Sequence, residues 1–378
     1  MQGNGIDTFI IKTVEWCNLN CTYCYFYNGQ DNSFEDRPRY MPRSVMSQAV
    51  PKIIDHCRDH DITDIHLTLH GGEPLLQPKK DFLWTMGQLD KIDAAGIRTH
   101  RKMTTNAVTL NDEWAELLAR HSVHLGISLD GTREIHDAAR IDKAGRGSYD
   151  RVIRGLQTAL NHEKNGLKVG TISVLFPLDN GRRIYQHIRS LGVKNINLVL
   201  PEANYVQELQ PPATDYGYRE LTLDIFDAWM EEDDPEINIR FFQDAIRAVA
   251  GLPAYSDQFG FAPVNVAVLE TDGSIQPTDN FRSCANGMTE LGLNISRDTF
   301  DDLYDHEFFK LCREQQTMIP AECSGCKFRE ICGGGRITTR YSATEGFDRK
   351  TVHCDTLYSL FDHIQDVLDE RNRALALS

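Results

Sequence analysis

The sequence predicts an α/β fold of six βα units, either an open doubly wound sheet or a partial (β/α)6 TIM-like barrel, followed by a smaller C-terminal α+β extension. Two observations predict it. The first two hundred residues alternate short runs of β-branched and apolar residues with longer amphipathic stretches, and a loop rich in proline and polar residues then breaks this pattern. With 378 residues, the chain is long enough for one large domain or two modest ones.

Each run in the first part of the chain is read as a strand or a helix by its length and periodicity. The predicted strands are Asp7–Val14, Asp64–His70, Ile97–Thr105, Val123–Leu129, Lys168–Phe176 and Asn195–Leu200. The predicted helices are Ser44–His60, Lys79–Ala95, Asn111–His121, Ser148–Asn165 and Asn180–Leu191. Alternating strands and helices predict a parallel sheet, and ligands of such sheets bind at the carboxyl ends of the strands.

The pattern changes after residue 200, where the loop Pro201–Asp215 predicts a domain boundary. We expect the partial barrel in 1–200, a linker with bridging helices in 201–262 and the smaller domain in 263–378. The elements expected after the boundary are a helix at Tyr218–Glu231, a hairpin at Val264–Pro277 that turns at Asp272 and Gly273, and a last helix at Thr356–Leu375.

Charge and hydropathy exclude several classes of protein. The chain has 40 basic and 55 acidic residues, a net charge of −15, which argues against a general electrostatic hold on nucleic acid. No run approaches the ~18–20 apolar residues that a membrane span needs, and the first residues do not resemble a secretion signal. We therefore expect a cytoplasmic protein with neither nucleic acid nor membrane as a partner.

Cysteines are concentrated near the two ends of the chain. In a cytoplasmic protein they are expected to be metal ligands, reactive thiols or buried apolar residues, because disulfides are rare there. Cys17, Cys21 and Cys24 lie within eight residues directly after the first predicted strand. Three thiolates can bind a [4Fe–4S] cluster and leave one iron open to a small molecule. A zinc site, normally closed by four ligands, and buried structural cysteines are the alternatives.

This segment resembles the radical S-adenosylmethionine (SAM) family, whose signature CxxxCxΦC has an aromatic residue at Φ, here Tyr23. The resemblance implies a [4Fe–4S] cluster with an open site for SAM, and cleavage of SAM to a 5′-deoxyadenosyl radical that abstracts a hydrogen atom. It includes a GGEP motif and polar residues at later strand ends. The SAM contacts that it implies are Gly71, Gly72, Glu73, Thr105, Asn106, Ser128, Asp130 and Arg140.

A second cysteine group lies near the carboxyl end. Its members are Cys323, Cys326, Cys332 and Cys354. Four thiolates fully ligate either zinc or an iron–sulfur cluster, and the residues alone leave the two equally open. The run CxxCx5C with the following GGG resembles the SPASM/twitch extension of radical SAM enzymes that modify peptides and proteins. This resemblance implies an Fe–S extension with one auxiliary [4Fe–4S] cluster.

The hairpin departs from the full SPASM pattern, because Thr278 and Asp279 follow its turn and no cysteine flanks it. A second auxiliary cluster is therefore not expected. Cys284 and Cys312 are read as ordinary, partly buried thiols, as is Cys57 on a predicted helix.

Three further segments, DNSFEDRPRYMP, LPEANY and CGGGRITTRYSATEGF, resemble the branch that builds side-chain crosslinks, including cyclophanes, in ribosomally made precursor peptides. This implies a precursor peptide as substrate and an electron donor of the flavodoxin or ferredoxin type. A separate leader-binding protein is a further candidate partner, since no winged-helix domain precedes the first strand. By position, the candidates for the base that deprotonates the substrate are His70, Asp279 and Tyr341.

Other functions stay open at the level of sequence. A sulfatase-type maturase that makes formylglycine, or a thioether-forming or epimerising maturase, would use the same cluster and SAM. A zinc-stabilised binding module and a thiol–disulfide enzyme with Cys21 and Cys24 as a CxxC pair are disfavoured by the three-thiolate arrangement. The precursor, the residues joined and the bond formed are not encoded in any motif of this chain.

Overall fold

The computed structural model describes residues 5–209, 215–254, 257–259 and 263–376. The chain forms two compact units. The first comprises Met1–Leu129, His136–Thr171 and Val264–Arg313, and the second comprises Asp130–Ile135, Ile172–Pro263 and Glu314–Ser378. Parts of the expected linker, residues 210–214, 255–256 and 260–262, lie outside the described residues.

Strands and helices alternate as the sequence predicts. The strands are β1 Thr8–Val14, β2 Asp64–Gly71, β3 Arg98–Thr105, β4 His124–Ser128, β5 Val169–Val174, β6 Asn195–Val199, β7 Asn238–Ile239, β8 Val266–Leu269 and β9 Ile275–Gln276. The helices are α1 Arg43–Asp59, α2 Lys79–Ala94, α3 Asp112–Arg120, α4 Arg133–Ala139, α5 Tyr149–Asn161, α6 Gly181–Ser190, α7 Asp215–Glu232, α8 Arg240–Val249, α9 Phe300–Tyr304, α10 Glu307–Glu314, α11 Arg329–Cys332 and α12 Cys354–Ala376.

In the first unit the strand order is β4-β3-β2-β1-β8-β9. The pairs from β4 to β1 are parallel, with Ile11 of β1 opposite Leu69 of β2. Apolar side chains from these strands and from α1 and α2 form the buried core, among them Phe9, Leu67 and Phe82. The carboxyl ends of four neighbouring strands therefore share one edge of this unit.

The hairpin β8–β9 is antiparallel and turns at Asp272 and Gly273, as predicted. Its first strand also pairs in parallel with β1, with Ile10 opposite Val268. This pairing places residue 279, which follows the hairpin, in the same unit as the loop that follows β1. It joins segments more than 250 residues apart, so no local pattern in the sequence indicates it.

In the second unit β6 pairs in parallel with β7, and α7 packs against α6 and α12. Aromatic side chains fill the space between these elements, with Phe226 edge-on to Phe242 at a centroid distance of 5.2 Å. The sequence analysis did not predict helices α4, α8, α9, α10 and α11 or strand β7. Among the described residues, no helix is both long and apolar enough to cross a membrane.

Candidate functional site

The loop that carries Cys17, Cys21 and Cys24 directly follows β1 and is held in place by backbone hydrogen bonds. The N–H of Cys24 donates to the carbonyl of Cys21 (3.0 Å), which forms a tight turn between these two cysteines. The N–H groups of Asn20 and Thr22 donate to the carbonyls of Ile141 and Ala139 (2.7 and 2.9 Å). The loop is therefore fixed between the end of β1 and the segment after α4.

The three thiols suit a site that binds a positively charged metal centre. Burial, and then the nearby carboxyl group of Glu73, raises the pKa of Cys17 to about 12. Burial also raises the pKa of Cys24, while Arg140 and Lys12 oppose this rise. Half-buried thiols become thiolates when a metal takes the place of the proton. Three cysteines in one fixed loop thus fit the predicted iron–sulfur cluster.

Two glycines let the end of β2 approach the start of this loop. A Cβ atom on Gly71, whose φ is +137°, would lie 2.0 Å from the carbonyl oxygen of Val14. A Cβ atom on Gly72 would lie 2.3 Å from the carbonyl group of Trp16. The N–H groups of Gly72 and Glu73 donate to these two carbonyls (2.8 and 3.0 Å). Only glycine fits at either position without moving the backbone.

Glu73 links the ends of β2 and β3. Its buried carboxylate accepts hydrogen bonds from the N–H of Leu75 (2.9 Å), the hydroxyl of Thr105 (2.7 Å) and the N–H of Asn106 (2.7 Å). Burial raises its pKa to about 7, although these three donors oppose the rise. Both oxygens of Glu73 are thus engaged by the protein itself, as expected for a residue that positions its neighbours.

Asn106 reaches from the end of β3 to the cysteine loop. Its Nδ2 atom donates to Oδ1 of Asn18 (2.8 Å) and lies 3.7 Å from Sγ of Cys17. The guanidinium of Arg140, which follows α4, lies 5.3 Å from the ring centre of Tyr23. The polar residues that the sequence predicts for SAM binding in this unit therefore lie around one loop.

The remaining two predicted SAM contacts lie at and beyond the end of β4. Ser128 is the last residue of β4 and is buried. Asp130 belongs to the second unit, where its carboxylate accepts a hydrogen bond from the N–H of Val174 (3.0 Å).

Two of the three candidate bases meet in a buried polar cluster of the first unit. Nζ of Lys12 lies 2.7 Å from Oδ2 of Asp279 and 3.5 Å from Nδ1 of His70. The hydroxyl of Tyr25 donates to Oδ1 of Asp279 (3.2 Å), and Nζ of Lys12 lies 3.5 Å from the ring centre of Phe26. Lys12 is only 1% exposed although it is a charged residue. We call these four residues, Lys12, Tyr25, His70 and Asp279, the Lys12 cluster.

Charges inside the Lys12 cluster set its protonation states. Burial alone would raise the pKa of Asp279, but Lys12 and His70 lower it to about 2. Burial and the adjacent Lys12 lower the pKa of His70 to about 4. At neutral pH the cluster therefore contains an ionised carboxylate beside a neutral imidazole.

Sequence reasoning missed the two partners of Asp279 in this cluster. A lysine within the apolar strand TFIIKTV was the available signal for Lys12, because a charged residue is rarely buried without a partner. The third candidate base, Tyr341, lies in the second unit. Its carbonyl accepts a hydrogen bond from the N–H of Tyr205 (3.0 Å), and its ring lies 5.2 Å from that of Phe347.

The second cysteine site is a cavity of about 350 Å³ in the second unit. Its thiol lining consists of Cys323, Cys326, Cys332 and Cys354. Burial, and then the adjacent Cys354 and Cys323, raises the pKa of Cys332 to about 12. Cys354 is the first residue of α12, an end of a helix that favours a thiolate. Four thiols around one cavity fit a fully ligated metal centre.

Comparison with known proteins bears on the part of the chain that contains the first of these two sites. Residues 11–191 match the family model of the radical SAM superfamily. This part of the chain therefore resembles a radical SAM domain. The sequence prediction of a [4Fe–4S] cluster and SAM as cofactors is thereby confirmed, and the cysteines of the second site are consistent with an auxiliary cluster.

Relatives and solved structures match nearly the whole chain. It is 24% identical over 356 residues to a cysteine-type anaerobic sulfatase-maturating enzyme of Clostridium novyi, with 92% of this chain and 91% of that protein covered. Its fold is similar to that of anSMEcpe, solved with bound AdoMet and the Cp18Cys peptide, with a TM-score of 0.82 and 21% identity over 97% of this chain and 99% of that one.

The fold is also similar to that of Streptococcus suis SuiB bound to the precursor peptide SuiA. The TM-score is 0.64 at 16% identity, over 92% of this chain and 76% of SuiB. These similarities confirm the predicted fold class, a partial barrel with a smaller C-terminal extension. Together with the family match of residues 11–191 and the matched maturating enzyme, they confirm the prediction of an enzyme.

Proposed function

We propose that the protein modifies a peptide by removing a hydrogen atom from a side-chain Cβ and joining that carbon to a nearby aromatic ring or heteroatom. The observation that carries this proposal is the Lys12 cluster, which provides an ionised carboxylate, Asp279, in the unit that contains the radical SAM loop. The peptide-bound structures of similar fold support a peptide as substrate.

The chemistry has to remove two hydrogen atoms from the substrate for each new bond. When bound to this domain, the cluster and SAM supply the radical that takes the first of them as an atom. The second leaves as a proton and an electron. Asp279 is the proposed proton acceptor, because Lys12 keeps it ionised and Tyr25 orients its carboxylate by a hydrogen bond. Burial of the cluster keeps water away from this step.

The residues around the first cysteine loop would bind and orient SAM. We propose that Arg140 pairs with the SAM carboxylate, a geometry that a guanidinium suits. The carbonyl groups of the Gly71–Gly72 turn are proposed to accept hydrogen bonds from the SAM ammonium group. Glu73 has both oxygens engaged by protein donors, so its proposed role is to hold the ends of β2 and β3 in register.

The electron needs an acceptor, and the second cysteine site is the proposed place for one. Four thiols close the coordination of a [4Fe–4S] cluster, which suits electron transfer and leaves no open iron for a ligand. A flavodoxin or ferredoxin type protein is the proposed donor of the electron that starts each turnover. A precursor peptide and a leader-binding protein remain proposed partners.

Formylglycine formation is the second candidate function. The similarity to a sulfatase-maturating enzyme over 92% of this chain favours it. The hairpin β8–β9 is followed by Thr278 and Asp279 and has no cysteine at its turn, which favours a single auxiliary cluster and disfavours a full SPASM arrangement. We therefore place side-chain crosslinking first.

The two functions give different products. The reconstituted enzyme would be incubated with SAM, dithionite and either the Cp18Cys peptide or synthetic peptides encoded beside its gene. A crosslink removes two hydrogens and blocks fragmentation between the joined residues in tandem mass spectrometry. An aldehyde on Cp18Cys, captured by a hydrazine reagent, would instead establish formylglycine formation and refute the leading proposal.

The role of Asp279 is tested in the same assay. Asp279→Asn is expected to keep 5′-deoxyadenosine formation and to lose nearly all product, because the proton has no acceptor. Tyr25→Phe, which removes one hydrogen bond to the same carboxylate, is the matched control and should retain most of the product. Full product formation by Asp279→Asn would exclude this residue as the base.

A further inference from the structure

Arg340 is a fully buried cation beside the second cysteine site. It ends a short 3-10 turn, Ile337–Arg340, and is 1% exposed. Its Nε donates to the carbonyls of Phe347 (3.0 Å) and Arg349 (3.1 Å), Nη1 donates to that of Gly333 (3.5 Å), and Nη2 donates to that of Met318. Every hydrogen bond that it makes in the described part of the chain therefore ends on a neutral backbone oxygen.

Arg336, four residues earlier, is a buried guanidinium that is paired with carboxylates, as is usual for a buried charge. It forms ion pairs with Glu202 and with Asp257, the latter at 3.0 Å. Among the described residues, no carboxylate lies within ion-pair distance of Arg340. A buried charge without a counter-charge costs several kcal/mol. No directly paired carboxylate among the described residues therefore balances the charge of Arg340.

The thiol groups of the cavity become anionic when they bind a metal as thiolates. Arg340 lies beside them, since its Nη1 donates to the carbonyl of Gly333, the residue after Cys332. Burial lowers the pKa of Arg340, and electrostatic attraction by Cys323 and Cys332 opposes this effect. The N–H of Gly334 also donates to the sulfur of Cys332. A Cβ atom on Gly334 would lie 2.7 Å from Pro320 and 3.6 Å from Nη1 of Arg340, so the GGG run allows this close packing.

Other charged groups near the site are exposed or more weakly placed. Asp348 attracts Arg340 electrostatically, as the cysteines do, and Glu322 and Lys350 act on Cys323 with opposite signs. All three side chains are exposed, so water screens their charges. Arg340 is buried, so water screens its charge less than it screens these three.

We propose that Arg340 raises the reduction potential of the [4Fe–4S] cluster held by Cys323, Cys326, Cys332 and Cys354. This inference rests on the proposed auxiliary cluster. A cluster with four thiolate ligands is an anion and gains one more negative charge on reduction, so a buried cation stabilises the reduced form more. Arg340 then makes the site a better acceptor for the electron that leaves the substrate.

The test is a redox titration of this cluster alone, followed by electron paramagnetic resonance. It is carried out in the full chain with Cys17, Cys21 and Cys24 all replaced by alanine, so that only the second site holds iron. Arg340→Met and Arg340→Gln are expected to shift the midpoint to more negative potential. Arg340→Lys should stay near the parent, and Lys350→Met, which removes an exposed cation of the same cavity, should shift it little.

The possible outcomes separate the inference from the proposed function. A neutral variant at position 340 that keeps its iron and the parent midpoint would overturn the inference. A shift in Arg340→Lys as large as in Arg340→Met would do the same, because it would assign the effect to the hydrogen bonds and not to the charge. Zinc in place of iron in the parent protein would overturn the proposed electron acceptor itself.

Discussion

The two cysteine sites differ in the number of thiols and in the charges around them. The first presents three thiols on one loop after β1, beside groups that titrate, such as Glu73 and the Lys12 cluster. The second places four thiols around one cavity beside Arg340, which stays charged at all working pH values. We call the first the open site, because three thiolates leave one iron of a [4Fe–4S] cluster for a small molecule. We call the second the closed site, because four thiolates leave no iron free, which suits electron transfer.

The largest expected effect comes from removing the open site. Alanine at Cys17, Cys21 and Cys24 together should abolish reductive cleavage of SAM, because no thiolate remains to hold the cluster. The measurement is 5′-deoxyadenosine by chromatography. Cys57→Ala, which removes a buried thiol of α1, is the control and should retain cleavage. Continued 5′-deoxyadenosine formation by the triple variant would refute the assignment of the open site.

Replacing one cysteine of the closed site should show that the two sites have different roles in the reaction. Cys326→Ala is expected to spare SAM cleavage and to abolish product, since the electron loses its acceptor. Both are measured in one reaction, by chromatography for 5′-deoxyadenosine and by mass spectrometry for the peptide. Cys312→Ala, a buried thiol of α10, should change neither. Unchanged product in soluble Cys326→Ala protein would reduce the second site to a structural one.

Backbone packing gives a smaller effect that is specific to the open site. Gly72→Ala forces a methyl group against the carbonyl of Trp16 at 2.3 Å, which should displace the cysteine loop, lower the iron content and destabilise the fold by about 1–3 kcal/mol. Gly87→Ala is the matched control. Nothing lies within 4 Å of its added methyl group, so it should stabilise α2 by about 1 kcal/mol. Equal iron content in both variants would contradict the packing argument.

The smallest expected effect is a pH dependence of folding stability, which we attribute to His70 of the Lys12 cluster. The folded state lowers the pKa of His70 to about 4, whereas in the unfolded chain it lies near 6.5. Below pH 6.5 the unfolded chain binds a proton that the folded chain does not, so stability falls by about 1.4 kcal/mol per pH unit until pH reaches about 4. We expect His70→Asn to lack this loss of stability on acidification, because asparagine does not titrate.

The measurement is the thermal unfolding midpoint of both proteins at about pH 7.5 and about pH 5.5. The midpoint of His70→Asn should fall less on acidification than that of the parent. Glu15 and Glu73, whose pKa values are raised to about 7, act in the opposite direction but are present in both proteins. An equal fall would show that His70 is not the group responsible.

Much of the fold could be predicted from the sequence because its signals are local. The apolar periodicity of TFIIKTV and the N-cap at Asn111, whose side chain accepts a hydrogen bond from the N–H of Trp114, each fix an element within a few residues. The cysteine spacings likewise indicated two separate sites.

What could not be predicted depends on contacts between distant segments. The parallel pairing of β8 with β1 and the ion pair between Lys12 and Asp279 each join residues more than 250 positions apart. Position alone could not rank the candidate bases, and our proposal of Asp279 depends on its contacts with Lys12 and Tyr25. No sequence pattern indicates the proposed role of Arg340. That role depends on its burial and on the absence of a directly paired carboxylate among the described residues.

The most direct test of this account is the iron, sulfide and zinc content per chain after anaerobic purification and reconstitution. We predict about eight irons and no zinc, which corresponds to one open and one closed four-iron cluster. About twelve irons would reveal a further cluster and favour formylglycine formation. About four irons with zinc present would contradict the central claim that the closed site receives the electron from the substrate.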